Sequence, residues 1–417
     1  LSDLLSLVGA LPFVISGILP SYTDAVFETM SGLTTTGSTI LGGTTSTGFQ
    51  NPDIESLPHS FLFWRSLAQW LGGMGIIVLS LAILPLLGIG GMQLFQAESP
   101  GPTADKLTPR VQETAKLLWV VYVALTALEF MLLWLHPSMD WFDALNHAFT
   151  SLASGGFSTK NASIAAFGSV YIDVIITLFM FLSGINFAMH FRLFKGDLGT
   201  FFNNRETRFY TIVTVIGIFI ITFSLWYFDG RTLLEALRYG SFQVVAIITT
   251  TGYVTDDYEL WYTFGASVLL LFFFTGASAG STSGGLKMVR WMILIRNLGR
   301  EIKQIIHPRA IIPIRIGDHV IEPSVQRTVL SFFILYIVLF GFGVILISLF
   351  GYDLISSIGA SISALGNVGP AWGEFGPTDN FAPLPYAAKW VLIVLMMVGR
   401  LELFTVIILF SPSFWKQ

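Results

Sequence analysis

The 417-residue sequence contains no cysteine. Disulfide staples and thiolate metal sites are therefore excluded within it. Charge is also scarce: Asp, Glu, Lys and Arg make up 12% of the residues, against about 25% in an ordinary soluble domain. The net charge is −4, and no basic patch carries interleaved aromatics, so nucleic acid is not an expected partner. No His or carboxylate cluster has metal-ligand spacing. No nucleophile–base arrangement stands out, and enzymatic activity is not expected. A phosphate-binding loop fails too: Lys287 is separated from Gly284-Gly285 by Leu286, and no Ser or Thr follows it.

What is present is apolar residue in long runs. The chain is 53% hydrophobic with mean hydropathy +0.71. A bilayer-spanning helix needs about 20 mostly apolar residues. Eight stretches qualify, at 1–19, 60–95, 115–135, 171–194, 209–228, 262–296, 328–350 and 388–411. They form four pairs, and a segment too short to cross lies within each pair: 22–36, 140–155, 233–251 and 353–365. The expected architecture is all-α and membrane-embedded. It has four tandem units of helix, short pore helix, loop and helix, in a pseudo-fourfold arrangement around one pore. The units divide at 1–100, 101–205, 206–322 and 323–417. The chain opens at Leu1 inside an apolar run, and the N-terminus is expected to be incomplete.

Each short segment ends in a glycine element: Thr34–Thr39, Ala153–Ser158, Thr249–Val254 and Ala364–Gly369. Aligning Gly37, Gly156, Gly252 and Gly366 spaces them by 119, 96 and 114 residues. Glycine lets a loop keep successive carbonyls turned one way without a Cβ clash. Four such loops predict a ring of carbonyls that replaces an ion's hydration shell. The expected ion-binding residues are Thr35, Thr36, Gly37, Ser38, Gly155, Gly156, Phe157, Thr250, Thr251, Gly252, Tyr253, Leu365, Gly366 and Asn367. Asp24, Asp143 and Asp353 stand 13 residues before the aligned glycines, with Tyr239 at that place in the third unit. They are expected to cap helices whose partly negative C-terminal ends point at the ion. Nine residues before the glycines stand Glu28, His147, Gln243 and Ser357, expected to brace the pore helices.

Bases on the loop side are Arg65, Lys160, Arg231, Arg238 and Lys389, whereas 16 of the 22 Lys and Arg lie on the other side. Basic loops stay cytoplasmic, so the glycine elements face outward. Outer Asp53, Glu55, Asp256, Asp257, Glu259, Glu374 and Asp379 would concentrate cations at the mouth. The basic segment 287–327 suits anionic lipid headgroups or a cytosolic partner.

These elements, together with Gln69–Gly75, Gly90–Leu94, the loop 276–287 and Gly399–Glu402, make the chain resemble the Trk/Ktr/HKT superfamily of potassium transport proteins, of the bacterial Trk type. The resemblance covers essentially the whole chain. It implies potassium as the transported ion, with K⁺ held at Thr36, Gly155, Thr251 and Leu365. It implies a homodimer in the bacterial inner membrane and a cytosolic gating ring that binds nucleotide, with no organic cofactor on this chain. Trk-type subunits usually carry two further N-terminal helices. Glycine at the aligned positions goes with potassium selectivity in this superfamily, and Gly37 fits that pattern. The fourth element, with Asn367 and Pro370, departs from the threonine-rich form.

Residues 276–285 interrupt an apolar span with glycines and hydroxyls. Irregular backbone at that depth needs protein or water against it. A gate lying across the pore is expected from Gly276, Gly280, Ser281, Gly284, Gly285 and Lys287; the alternative is a small-residue packing face. Arg400 sits inside the apolar run 390–410, where charge is costly. It is a second gate residue, or else pairs with Glu129 or Glu402. Channel-like conduction is the leading expectation. A symporter driven by H⁺ or Na⁺ is the first alternative, and a non-transporting scaffold the second.

Overall fold

The computed structural model describes residues 2–75, 111–310, 312–317 and 319–401. The motif 90–94 and Glu402 lie outside them. Sixteen α-helices are described, with a two-residue hairpin of β1 (Arg315–Ile316) and β2 (His319–Val320). Grouped by the expected units, the first holds α1 (Ser2–Gly9), α2 (Leu11–Ile15), α3 (Tyr22–Leu33) and α4 (His59–Trp70), followed by a π turn over Leu71–Gly75. The second holds α5 (Val111–Trp134), α6 (Trp141–Leu152), α7 (Val170–Ser183), α8 (Phe187–Phe194) and α9 (Leu198–Asn203). The third holds α10 (Arg205–Tyr227), α11 (Leu233–Ile248), α12 (Thr263–Phe272) and α13 (Met288–Ile306). The fourth holds α14 (Pro323–Ser348), α15 (Leu354–Gly366) and α16 (Tyr386–Arg400).

Among the described residues, three helices are long and apolar enough to cross a membrane: Lys116–Trp134, Arg205–Tyr227 and Pro323–Ser348. Their apolar side chains face outward; in Pro323–Ser348 only 22% of the most apolar window is buried in the protein. Such surface is stable against lipid and a liability in water. The expected span 171–194 is not one helix. It bends by 102° between α7 and α8, where Asn186 leaves the helix and caps α8 through the Ala188 N–H. The expected span 262–296 is broken between α12 and α13, at the glycine-rich loop.

The short helices α3, α6, α11 and α15 lie inside the bundle. Each packs against a helix preceding or following it: α1 and α4 on α3, α5 on α6, α10 on α11, and α14 and α16 on α15. Packing also crosses between units. α4 lies on α6, α7 on α11, and α16 on α3. The short helices are buried along most of their length although rich in Ser, Thr and Gly, and the loops that follow them are largely buried as well.

Candidate ion-conduction site

The short helices are capped by Ser21, Asp140, Thr232 and Asp353, whose side chains accept from Asp24, Asp143, Glu235 and Ser356 N–H respectively. Asp24 and Asp143 thus stand in the first turn rather than at the cap, and Tyr239 lies inside α11. Asp353 is a true cap. Aligning it with Asp24 and Asp143 shifts the fourth element by three residues. Counted from the caps, Ser21, Asp140 and Asp353 each lie 16 residues before Gly37, Gly156 and Gly369 (37 − 21, 156 − 140, 369 − 353). In the third unit the interval from Thr232 to Gly252 is 20 (252 − 232), one helical turn more.

The backbone gives the same register. Each helix is followed by a residue in left-handed conformation: Thr35 (φ 51°), Ser154 (54°), Thr250 (56°) and Asn367 (54°). Two residues on comes a glycine at positive φ: Gly37 (87°), Gly156 (75°), Gly252 (74°) and Gly369 (107°). The N–H between them donates to the carbonyl five residues back at every element. These bonds are Thr36 to Ser31 (2.8 Å), Gly155 to Thr150 (2.9 Å), Thr251 to Ala246 (2.8 Å) and Val368 to Ser363 (3.0 Å). This is the C-terminal capping pattern in which a left-handed residue closes the last turn. Gly366 and Leu365, expected in the fourth loop, belong to the last turn of α15. Val368 and Gly369 hold the places assigned to them.

Each of these glycines lies against the next loop. A Cβ on Gly37 would overlap the Gly155 carbonyl oxygen, one on Gly156 that of Thr251, and one on Gly252 that of Val368. A Cβ on Gly369 would come within 2.6 Å of the Thr36 oxygen. The chain of approaches therefore returns to its start. The carbonyls it involves belong to Thr36, Gly155, Thr251 and Val368. Ser38 Oγ closes the seam between fourth and first loops by donating to Gly369 O (2.9 Å).

Side chains behind the loops brace them. Glu28 accepts from Thr39 Oγ1 (3.0 Å) and Ile40 N (3.1 Å), and pairs with Arg65 (2.8 Å). His147 bonds Ser158 Oγ (2.9 Å) through one ring nitrogen and the Asp143 carbonyl (2.7 Å) through the other. Gln243 accepts from Thr255 N (3.3 Å). Tyr253 turns back from the third loop to Thr150 Oγ1 and the His147 carbonyl. In the fourth unit the matching place falls on Ala360 rather than Ser357. Ser363 Oγ takes over the bracing, bonding both the N–H and the carbonyl of Gly369 (3.0 and 2.8 Å). Gln69 opens one of the motifs that carry the resemblance, but sequence reasoning gave it no role of its own. Its amide donates to Gly155 O (2.6 Å) and accepts from Phe157 N (3.0 Å). A polar side chain inside the apolar run 60–95 was the available signal.

Residues 276–285 run under the loops. Thr282 Oγ1 bonds Ser154 Oγ (2.8 Å) and the Leu152 carbonyl (2.9 Å). Gly284 N–H donates to Thr250 Oγ1 (2.6 Å), and a Cβ on Gly284 would come within 2.5 Å of Gly366 O. The loop is closed at its base, where Gly276 N–H donates to Leu286 O (2.8 Å). Gly280 (φ 72°) and Gly285 (φ 64°) make its turns, Ser281 Oγ donates to Ser278 O (2.6 Å), and Lys287 Nζ donates to the carbonyl and hydroxyl of Ser283. Arg400 reaches the same level. Its guanidinium donates to Thr282 O (2.8 Å), Gly72 O (2.9 Å) and Gly73 O (3.0 Å). Among the described residues it makes no ion pair with Glu129.

All five bases expected on the loop side are matched by carboxylates: Arg65 with Glu28, Lys160 with Asp143, Arg231 with Asp256, Arg238 with Asp173, and Lys389 with Asp24. Other outer carboxylates crowd one another. Burial pushes the Glu259 carboxyl above its ordinary range against the pull of the Gly373 N–H, and the charges of Asp257, Asp379 and Asp353 add to the rise. Burial and then Asp257 push Asp379 in the same direction.

Comparison with known proteins places this architecture. The family of cation transport proteins called TrkH matches residues 4–417. The chain belongs to that family. It is 42% identical over 414 residues to the Trk system potassium uptake protein TrkH of Salmonella typhimurium, covering 98% of this chain and 83% of that protein. It is 35% identical to the Trk system potassium uptake protein TrkG of Escherichia coli, covering 99% of this chain and 83% of that one. The crystal structure of the potassium transporter TrkH from Vibrio parahaemolyticus matches with a TM-score of 0.85 at 37% identity, over 99% of this chain and 84% of that chain. Family members are membrane transport proteins, not enzymes.

Proposed function

We propose that the chain is a potassium uptake subunit of the cytoplasmic membrane that conducts ions in channel fashion through its four glycine loops. The observation that carries this reading is the closed run of approaches in which each loop glycine meets the next loop's carbonyl. Four carbonyls that each follow a helix C-terminal cap and each meet a neighbouring loop's glycine suit a partly dehydrated cation, and the helix dipoles add attraction. In this reading the four units surround one pore. K⁺ is held by the carbonyls of Thr36, Gly155, Thr251 and Val368, and the loops face the outside.

The loop 276–285 is the gate in this proposal. It is bonded to the left-handed residues of the second and third loops and packed against the fourth. Arg400 ties it to the π turn after α4 and sets a positive charge below the ring. A conducting state requires Arg400 and the loop to move together, because the guanidinium holds Thr282 directly. Control by a cytosolic nucleotide-binding ring, and pairing with a second copy of the chain, follow from the family resemblance and belong to the proposal.

Gly37→Ser tests the filter. It puts a side chain against the Gly155 carbonyl at a positive φ. K⁺ preference over Na⁺ should fall in a liposome flux assay, while the protein stays folded. Unchanged preference would remove the ring from the mechanism.

A further inference from the structure

Glu206, the second residue of α10, stands outside the loops and outside every role assigned above. Its Oε1 accepts from two backbone N–H groups distant in sequence: Ala279 (2.7 Å), inside the loop 276–285, and Val289 (3.1 Å), in the first turn of α13. Both donors flank the same turn of chain. The first N–H groups of a helix have no partner within it, and a carboxylate is favoured there by the helix dipole. Bonds from N–H to a charged oxygen are also stronger than neutral ones. The bend between α7 and α8 holds the loop on its other flank: Ser278 N–H donates to Gly184 O (3.0 Å) and Phe187 N–H donates to Gly280 O (3.0 Å).

We infer that Glu206 is the positioning residue that pins the gate loop in its crossing arrangement. One oxygen fastens the loop's entering limb to the start of the helix that leaves it, and both to α10. The inference rests on reading 276–285 as the gate. The two bonds of Glu206 end on the loop and on α13 rather than on the ring or its braces, so its loss changes gating and leaves ion choice alone. Because both bonds end on one oxygen, a glutamine retains an acceptor there but loses the charge. An aspartate keeps the charge but shortens the reach.

The test uses the whole protein in liposomes, with K⁺ and Na⁺ flux measured separately. Losing a charge-assisted hydrogen bond from the closed arrangement shifts a two-state equilibrium by about tenfold or more. E206A and E206D should therefore raise K⁺ flux by that factor with an unchanged K⁺/Na⁺ ratio, and E206Q, which keeps a neutral acceptor, should raise it by less. The cysteine-free sequence permits a second readout. S281C introduces one thiol at a half-buried loop position, and its labelling rate should rise by a similar factor with E206D and by less with E206Q. Deleting residues 277–283 separates the two levels of the reading. If the deletion opens the pore while E206D changes neither flux nor labelling, Glu206 is not the anchor and the gate stands. If the deletion changes nothing, gate and anchor both fall.

Discussion

Alanine at position 369 and alanine at position 366 should have opposite consequences. Gly369 has φ +107°, a region that L-residues rarely adopt, and an added Cβ would sit 2.6 Å from the Thr36 oxygen. Gly366 has a helical backbone, and its nearest neighbour to a new Cβ is Phe273 O at 3.2 Å. A few tenths of an ångström of adjustment accommodate that contact. Forcing alanine into a glycine-only conformation costs about 1–3 kcal/mol, and the overlap with Thr36 adds to it. The cheapest relief is rotation of the Val368–Gly369 peptide, which turns one carbonyl away from the ring. If about 2 kcal/mol of K⁺ preference goes with that carbonyl, the K⁺/Na⁺ flux ratio falls by about 30-fold. G366A should keep the ratio within about threefold, the effect of a strain below about 0.7 kcal/mol. The assay is ion flux in liposomes, with each variant's folding checked by its elution and thermal transition in detergent. Loss of selectivity in G366A with a native ratio in G369A would refute the register and restore the alignment on Gly366.

Other expectations follow from the same contacts. R400A removes three carbonyl bonds and should raise K⁺ flux, whereas R400K, a point charge without the fork, should restore closure only in part; equal flux in all three proteins would count against a gate. K389A leaves Asp24 buried without its partner at 2.6 Å, which costs about 3–5 kcal/mol and should lower the thermal transition markedly; D24N together with K389M should recover most of it. Glu259 and Asp379 take up protons at higher pH than free carboxylates. As pH falls from neutral these two carboxylates therefore lose charge earlier than they would in free solution, so uptake at low external K⁺ should weaken; E259Q should flatten that pH dependence.

Much of this was legible in the sequence, for physical reasons that also mark where legibility stopped. Glycine is forced where φ is positive and a neighbouring carbonyl is close, so Gly37, Gly156 and Gly252 stood out together with the preceding hydroxyl residues. The fourth element misled because Asp is equally suited to a cap and to the first turn. Asp24 and Asp143 sit in that turn and Asp353 at the cap, and the spacing inherited the three-residue difference. The long interval in the third unit is one extra turn of α11. Gly240 has a reason as well: a Cβ there would press on Thr222 at 3.2 Å, where α10 and α11 pack closely. The kink between α7 and α8 was hidden because Gly184-Ile185-Asn186 scarcely interrupts the hydropathy of 171–194. Gln69, Arg65 and Lys389 escaped notice as buried partners. Composition places a charge in a span or a loop, but its counter-charge comes from distant sequence: Glu28 lies 37 residues from Arg65 and Asp24 365 residues from Lys389.

The most direct test of the central claim is voltage-driven ion flux through the purified protein in liposomes, with no H⁺ or Na⁺ gradient and the gate freed by deletion of residues 277–283. The account predicts K⁺ flux that follows the membrane potential alone, exceeds Na⁺ flux, and loses that preference in G369A. Flux that appears only when a proton or sodium gradient is imposed would contradict conduction through an open carbonyl ring and make the four loops a binding step in a coupled cycle.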